Sequence, residues 1–153
     1  MERSSLLDQA LLALQSLLTQ AWGAKVLLAV LVFLFGTWRE AYAALAVLML
    51  LDFITGVLAA KHQNKPVTSK TMGLKTGQKV WLYSVVLISA NLADKGIPGP
   101  DFLLGLALAM LVVTEALSVV ENLSRTFPDQ PVLMHLRSAL GSKLEDLKDK
   151  GGP

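Results

Sequence analysis

Residues 41–60 read AYAALAVLMLLDFITGVLAA, twenty positions with one charge and no proline. As a helix the stretch is about 30 Å long at about 1.5 Å per residue, which matches the hydrocarbon core of a bilayer. Its few polar residues share a side: Asp52, Thr55, Gly56 and Ala59 fall on one polar, small-residue face at helical spacing. An ionised carboxylate at mid-span costs about 2.5–3.5 kcal/mol unless it meets protein or water, so Asp52 is expected to face the interior of a helical bundle or to be protonated.

The rest of the chain repeats this segregation. Four stretches, 21–38, 41–60, 80–93 and 102–120, hold 71 of the 153 residues but only three charges, Lys25, Asp52 and Glu115, while the other 82 residues carry 23. Apolar residues make up 53% of the chain and charged ones 17%. That excess is too large for the core of a small soluble domain and predicts an all-α membrane protein, a bundle of three to four transmembrane helices with an amphipathic helix at each end. Without cysteine there is no disulfide scaffold, thiolate metal site or cysteine nucleophile, and two distant histidines, His62 and His135, offer no dyad. A formal charge of +2 does not suggest a nucleic-acid binder. No cofactor or metal is expected.

Three regions follow, 1–20, 21–123 and 124–153. In the first, Leu6, Leu7, Leu11, Leu14, Leu17 and Leu18 recur at helical spacing, and the polar face lacks basic residues, so the leucine stripe needs the membrane or other helices to cover it. Residues 22–38 form an apolar run framed by Trp22 and Trp38, slightly short for a span unless Lys25 snorkels. Ala41-Tyr42-Ala43 has the small-residue pattern of a signal-peptidase site, but the long preceding region lacks a positive start, and cleavage is not expected. Residues 61–79 read as a basic loop: Lys61, Lys65, Lys70, Lys75 and Lys79 occur with no acid and with Pro66, Gly73 and Gly77 as breakers. The positive-inside rule keeps that loop in the cytoplasm, with its lysines on anionic headgroups. The turn at 94–101 is net negative and belongs outside. Four crossings put both ends inside; three put the amino terminus outside. Leucines at 133, 136, 140, 144 and 147 predict an amphipathic helix in the cytoplasmic tail, packed on the bundle or on a neighbouring subunit.

Glu115 repeats the pattern of Asp52 in the fourth run, with Ser118 and Asn122 on its stripe and Glu121 at the edge. Asp52 lies nine residues before Lys61 and Glu115 ten before Arg125, which sets both carboxylates about 13–15 Å from the basic boundary. Two acids at one depth serve as a helix contact, a proton-sensitive pair or a hydrated lining, and spacing does not choose among them. Residues 73–79, GLKTGQK, lack the Gly-Lys-Ser/Thr ending and preceding strand of a phosphate loop, and no hydrolase or metalloprotease motif is present. Enzymatic activity is not expected.

The blocks Leu51-Asp52-Phe53-Ile54-Thr55-Gly56, then Ser69, Gly73-Leu74 and Lys79-Val80, and finally Glu115-Ala116-Leu117-Ser118-Val119-Val120-Glu121-Asn122, together resemble the phage-lysis and toxin-secretion holin family, holin family 4-like, over residues 47–147. After Asn122 the sequence departs from the family's glycine and Pro-x-Pro turn, because Pro128 and Pro131 stand further apart. The resemblance implies a small inner-membrane protein that forms homo-oligomers and opens lesions, releasing a cell-wall hydrolase or a toxin. Asp52, Thr55, Gly56, Glu115, Ser118, Glu121 and Asn122, on the polar and small-residue stripes of apolar helices where lipid offers no partner, are the expected oligomer- or pore-facing residues. An ion- or proton-conducting transporter subunit would use the same buried acids, and an antiholin-like scaffold would use the amphipathic ends.

Overall fold

A computed structural model describes residues 22–65, 69–98 and 102–151 together with Leu12 and Ser16, and the side chains of 69–72 lie outside that description. The described residues outside turns are helical throughout: α1 is seen from Trp22 to Phe35, followed by α2 (Glu40–His62), α3 (Ser69–Gly96), α4 (Leu103–Thr126) and α5 (Pro131–Gly151). The leucine helix expected at 5–20 lies outside the described residues apart from Leu12 and Ser16, both helical. Two compact units divide the chain, Met1–Thr37 and Trp38–Pro153.

In the first unit α1 ends where Gly36 takes a φ of 78° and donates its N–H to the Val32 carbonyl at 2.9 Å. A left-handed residue there closes the last turn without a Cβ clash, which is glycine's usual place after a helix. In the second unit α4 is the hub, packed on α2, α3 and α5. α2 and α4 run parallel: the Arg39 guanidinium lies 3.4 Å from where a Cβ on Gly105 would stand, and Gln63 and Arg125 line one cavity at the other end. α3 runs the opposite way, so that its Asp94 reaches the start of α4.

Two helices, α2 and α4, are long and apolar enough to cross a membrane. Few of their residues are buried, and large apolar side chains such as Val47, Leu50 and Ile54 stay exposed. Such a surface needs an apolar solvent or further copies of the chain. The described part of α1 is shorter than a span, and α3 opens on a lysine-bearing segment.

The basic loop expected at 61–79 is mostly helix. α2 continues through Lys61, and α3 already begins at Ser69. Gly73 and Gly77, read as breakers, sit inside α3 with open space where a Cβ would point, because an interior glycine costs a helix only about 1 kcal/mol and the surrounding lysines are good helix formers. α2 stops by a Schellman cap. Asn64 adopts φ 53°, its N–H reaches the Lys61 carbonyl, and the Lys65 N–H reaches Ala60, which fixes where Lys65 leaves the bundle.

The amphipathic tail helix packs on the bundle, one of its two expected placements, by folding back along α4. α5 lies antiparallel to α4, with Arg137 3.3 Å from Glu121 near one end and Gly151 against Leu106 near the other. Leu133, Leu140, Leu144 and Leu147 are half-buried, and the charged residues of α5 are exposed.

Candidate functional site

The lysine-rich end of α3 carries the side chain that gathers the site. Counted from Ser69, Lys79 stands ten residues into its helix, about 15 Å, which is the depth derived for Asp52 and Glu115 from the same end. Its ammonium donates to Asp52 Oδ2 at 2.6 Å and to both Glu115 oxygens at 3.0 and 3.2 Å. One turn further along α3, Tyr83 donates its hydroxyl to Glu115. Asn122, two turns after Glu115 on α4, gives its amide to Asp52 Oδ1 at 2.9 Å and accepts from Arg125 Nη1 at 3.3 Å. Three helices thus meet through a continuous line, Arg125, Asn122, Asp52, Lys79, Glu115 and Tyr83.

Glu115 is 0% exposed, Thr55 and Tyr83 are buried, and Asp52 keeps 17% of its side-chain surface. Among the described residues no buried side-chain oxygen or nitrogen lacks a partner. Charge-assisted hydrogen bonds of this length are the strong kind, and in an apolar bundle they hold helices in one register. Thr55 turns its hydroxyl back to the Leu51 carbonyl at 2.8 Å, so it is satisfied within α2 and adds only a 3.4 Å contact from Asn122.

Asp52, Glu115, Asn122 and Thr55, singled out in the sequence, are brought together. Gly56 lies beside them on the wall of an adjoining cavity. Ser118 is half-buried on α4 but is not among the groups that Lys79 and Tyr83 join. Glu121 turns away from the cluster toward Arg137 of α5 and, at 3.9 Å, Arg125. Of the lysines expected at the membrane surface, Lys61 and Lys65 are exposed at the end of α2, Lys75 lines the cavity, and Lys79 points to the two acids instead; the Lys70 side chain lies outside the description. The sequence reading puts Lys79 at the membrane surface and gives Tyr83 no site role; the structure turns Lys79 inward to Asp52 and Glu115 and adds Tyr83 beside them. Their signal was the i, i+4 spacing of a cation and a phenol at the depth of two acids, which emerges once the helix is counted from Ser69.

A second polar contact closes the other end. Asp94, in the last turn of α3, accepts the N–H groups of Leu103 and Leu104 at 3.0 and 2.8 Å and so caps α4 from a neighbouring helix. Desolvation pushes this carboxyl up, but the N–H groups of Leu104, Leu103 and Phe102 and the Arg39 charge outweigh it and hold Asp94 below its ordinary range.

Among the described residues no three His, Asp or Glu side chains group as a metal site. What the fold and site define is a small helical membrane protein whose spans are tied by a buried ionic cluster. Residues 29–145 match the bacteriophage holin family, and the chain belongs to it. It is 28% identical over 123 residues to an uncharacterised protein of Halalkalibacterium halodurans, covering 78% of this chain and 89% of that one. No solved structure matches it.

Proposed function

We propose that the protein acts as a holin. Copies accumulate in the bacterial cytoplasmic membrane, associate, and open lesions through which a cell-wall hydrolase or a large toxin leaves, without enzymatic turnover. The lysine-rich end of the bundle faces the cytoplasm; α2, α3 and α4 cross the membrane, α1 and the residues before it add a crossing where they span, and α5 returns along α4 beside the opening.

The observation that carries this reading, beside family membership, is the pairing of α4 with α5. An apolar helix of 24 residues lies against one of 21 residues whose outward side bears Arg137, Lys143, Glu145, Asp146, Lys148 and Asp149. In a single copy surrounded by lipid those charges would each cost about 2.5–3.5 kcal/mol toward the bilayer centre. Several copies side by side remove the conflict: the apolar helices face lipid and the charged helices face a shared aqueous opening. The ionic cluster of α2, α3 and α4 supports the same reading by keeping each subunit's spans together while subunits rearrange.

Timed expression with a co-expressed cytoplasmic wall hydrolase tests it. Membrane potential is expected to collapse and the hydrolase to be released, with lysis requiring both proteins. Ion-selective current without release of large solutes favours the transporter reading, and intact potential without release favours a scaffold.

A further inference from the structure

The cavity beside the ionic cluster has about 350 Å³ and two unlike sides. One is apolar and small-residued, made by Phe53, Gly56, Ala59 and Ala60 of α2. The other is cationic: Lys65, Lys75, Lys79 and Arg125 converge on it from three elements. Two of these charges are committed, Lys79 to Asp52 and Glu115 and Arg125 in part to Asn122 and Glu121. Lys65 and Lys75 pair with no described acid. Lys65 is held at the rim by the Asn64 cap, and Lys75 lies one turn before Lys79 on α3, so both positions are set by backbone structure and not by side-chain chance. Asp52, the one carboxylate on the lining, is covered by Lys79 and Asn122, which leaves the cations to set the potential met by an entering group.

We propose that this cavity binds the phosphoryl headgroup of an anionic phospholipid, with Lys65 and Lys75 as its main contacts and Arg125 beside them. The shared chemistry is a phosphate oxyanion among cations, which free phosphate would also satisfy. The apolar α2 wall decides for the lipid, since it offers acyl chain or glycerol a surface that an inorganic ion does not use. The inference requires only that α2 and α4 lie in a bilayer. It is independent of lesion formation.

The test uses the full chain purified from mixed lipid vesicles of phosphatidylglycerol and phosphatidylcholine, with native mass spectrometry of the lipid that stays bound. One phosphatidylglycerol per protomer is expected, favoured over phosphatidylcholine, and the preference is expected to fall by about thirtyfold in Lys65→Gln/Lys75→Gln. It is expected to persist in Lys65→Arg/Lys75→Arg and in the charge-matched control Lys143→Gln/Lys150→Gln. Inorganic phosphate added to the wild type is expected to leave the lipid in place. Equal retention of the two lipids, equal loss in the control, or lipid displaced by phosphate with the same lysine dependence would each overturn the assignment. None of these readouts involves lysis, so a protein that binds the lipid but opens no lesion fails the holin reading alone.

Discussion

At the scale of single residues, the protein is held by two acids that share one lysine. Removing Lys79 leaves the fully buried Glu115 facing Asp52 without the cation between them. Lys79→Met is therefore expected to lower stability by about 3 kcal/mol, the low end for breaking a buried ion pair because 36% of the lysine side chain reaches solvent. Glu115→Gln keeps the shape and an acceptor for Tyr83, and its expected cost is about 1–2 kcal/mol. Thermal unfolding of the detergent-solubilised variants ranks the two, and a Lys79→Met protein as stable as the wild type would remove the cluster from the account. The acids were legible in the sequence because a lone carboxylate in an apolar run has few places to go. Lys79 was not, since Gly73 and Gly77 read as breakers and left it at the end of a loop. Asp94 adds a pH dependence. Its carboxyl is held below its ordinary value in the folded protein, so its cap is fully present above the unfolded value and is lost as pH falls through the folded one. The stability gap between wild type and Asp94→Asn is expected to be open at about pH 6 and to close toward about pH 3. A gap unchanged over that interval would show that the carboxylate charge contributes nothing to the cap.

At the scale of elements, the basic segment 61–79 departs most from the sequence reading, being mostly helix, whereas α5 is the expected tail helix on the bundle. Its leucine stripe was plain, and a stripe needs cover, but periodicity does not name the covering helix. The structure seats Leu133, Leu140, Leu144 and Leu147 toward α4 and leaves Leu136 46% exposed, so the working seam is narrower than the sequence suggested. The length of the pairing follows from two near-equal helices joined by the short turn at 127–130. Cysteines placed at Leu106 and Gly151 are expected to be joined by a short bifunctional thiol reagent in native membranes, because the Leu106 side chain lies 3.0 Å from the position of a Cβ on Gly151. Absence of that product, with the Arg137 end still cross-linking to Glu121 after the same replacement, would mean that the far half of α5 leaves α4 in the bilayer.

At the scale of the whole molecule, the membrane class was legible from charge segregation alone, and the two clearest spans of the sequence are the two apolar helices of the structure. The number of crossings was not legible, because 22–38 is marginal in length and α3 mixes an apolar half with a lysine-bearing one. Orientation rests on the lysines against the net-negative turn. With no native cysteine, single cysteines at Lys70 and Lys95 can be probed in intact cells by an impermeant thiol reagent. Labelling is expected at Lys95 and not at Lys70, and the reverse pattern would invert the topology. The central claim, that assembled copies open a lesion wide enough for a folded protein, is tested most directly in vesicles loaded with both a small dye and a fluorescent protein of hydrolase size. Reconstituted at rising protein density, the chain is expected to release both together past a threshold; escape of the dye with the protein retained at every density would contradict it.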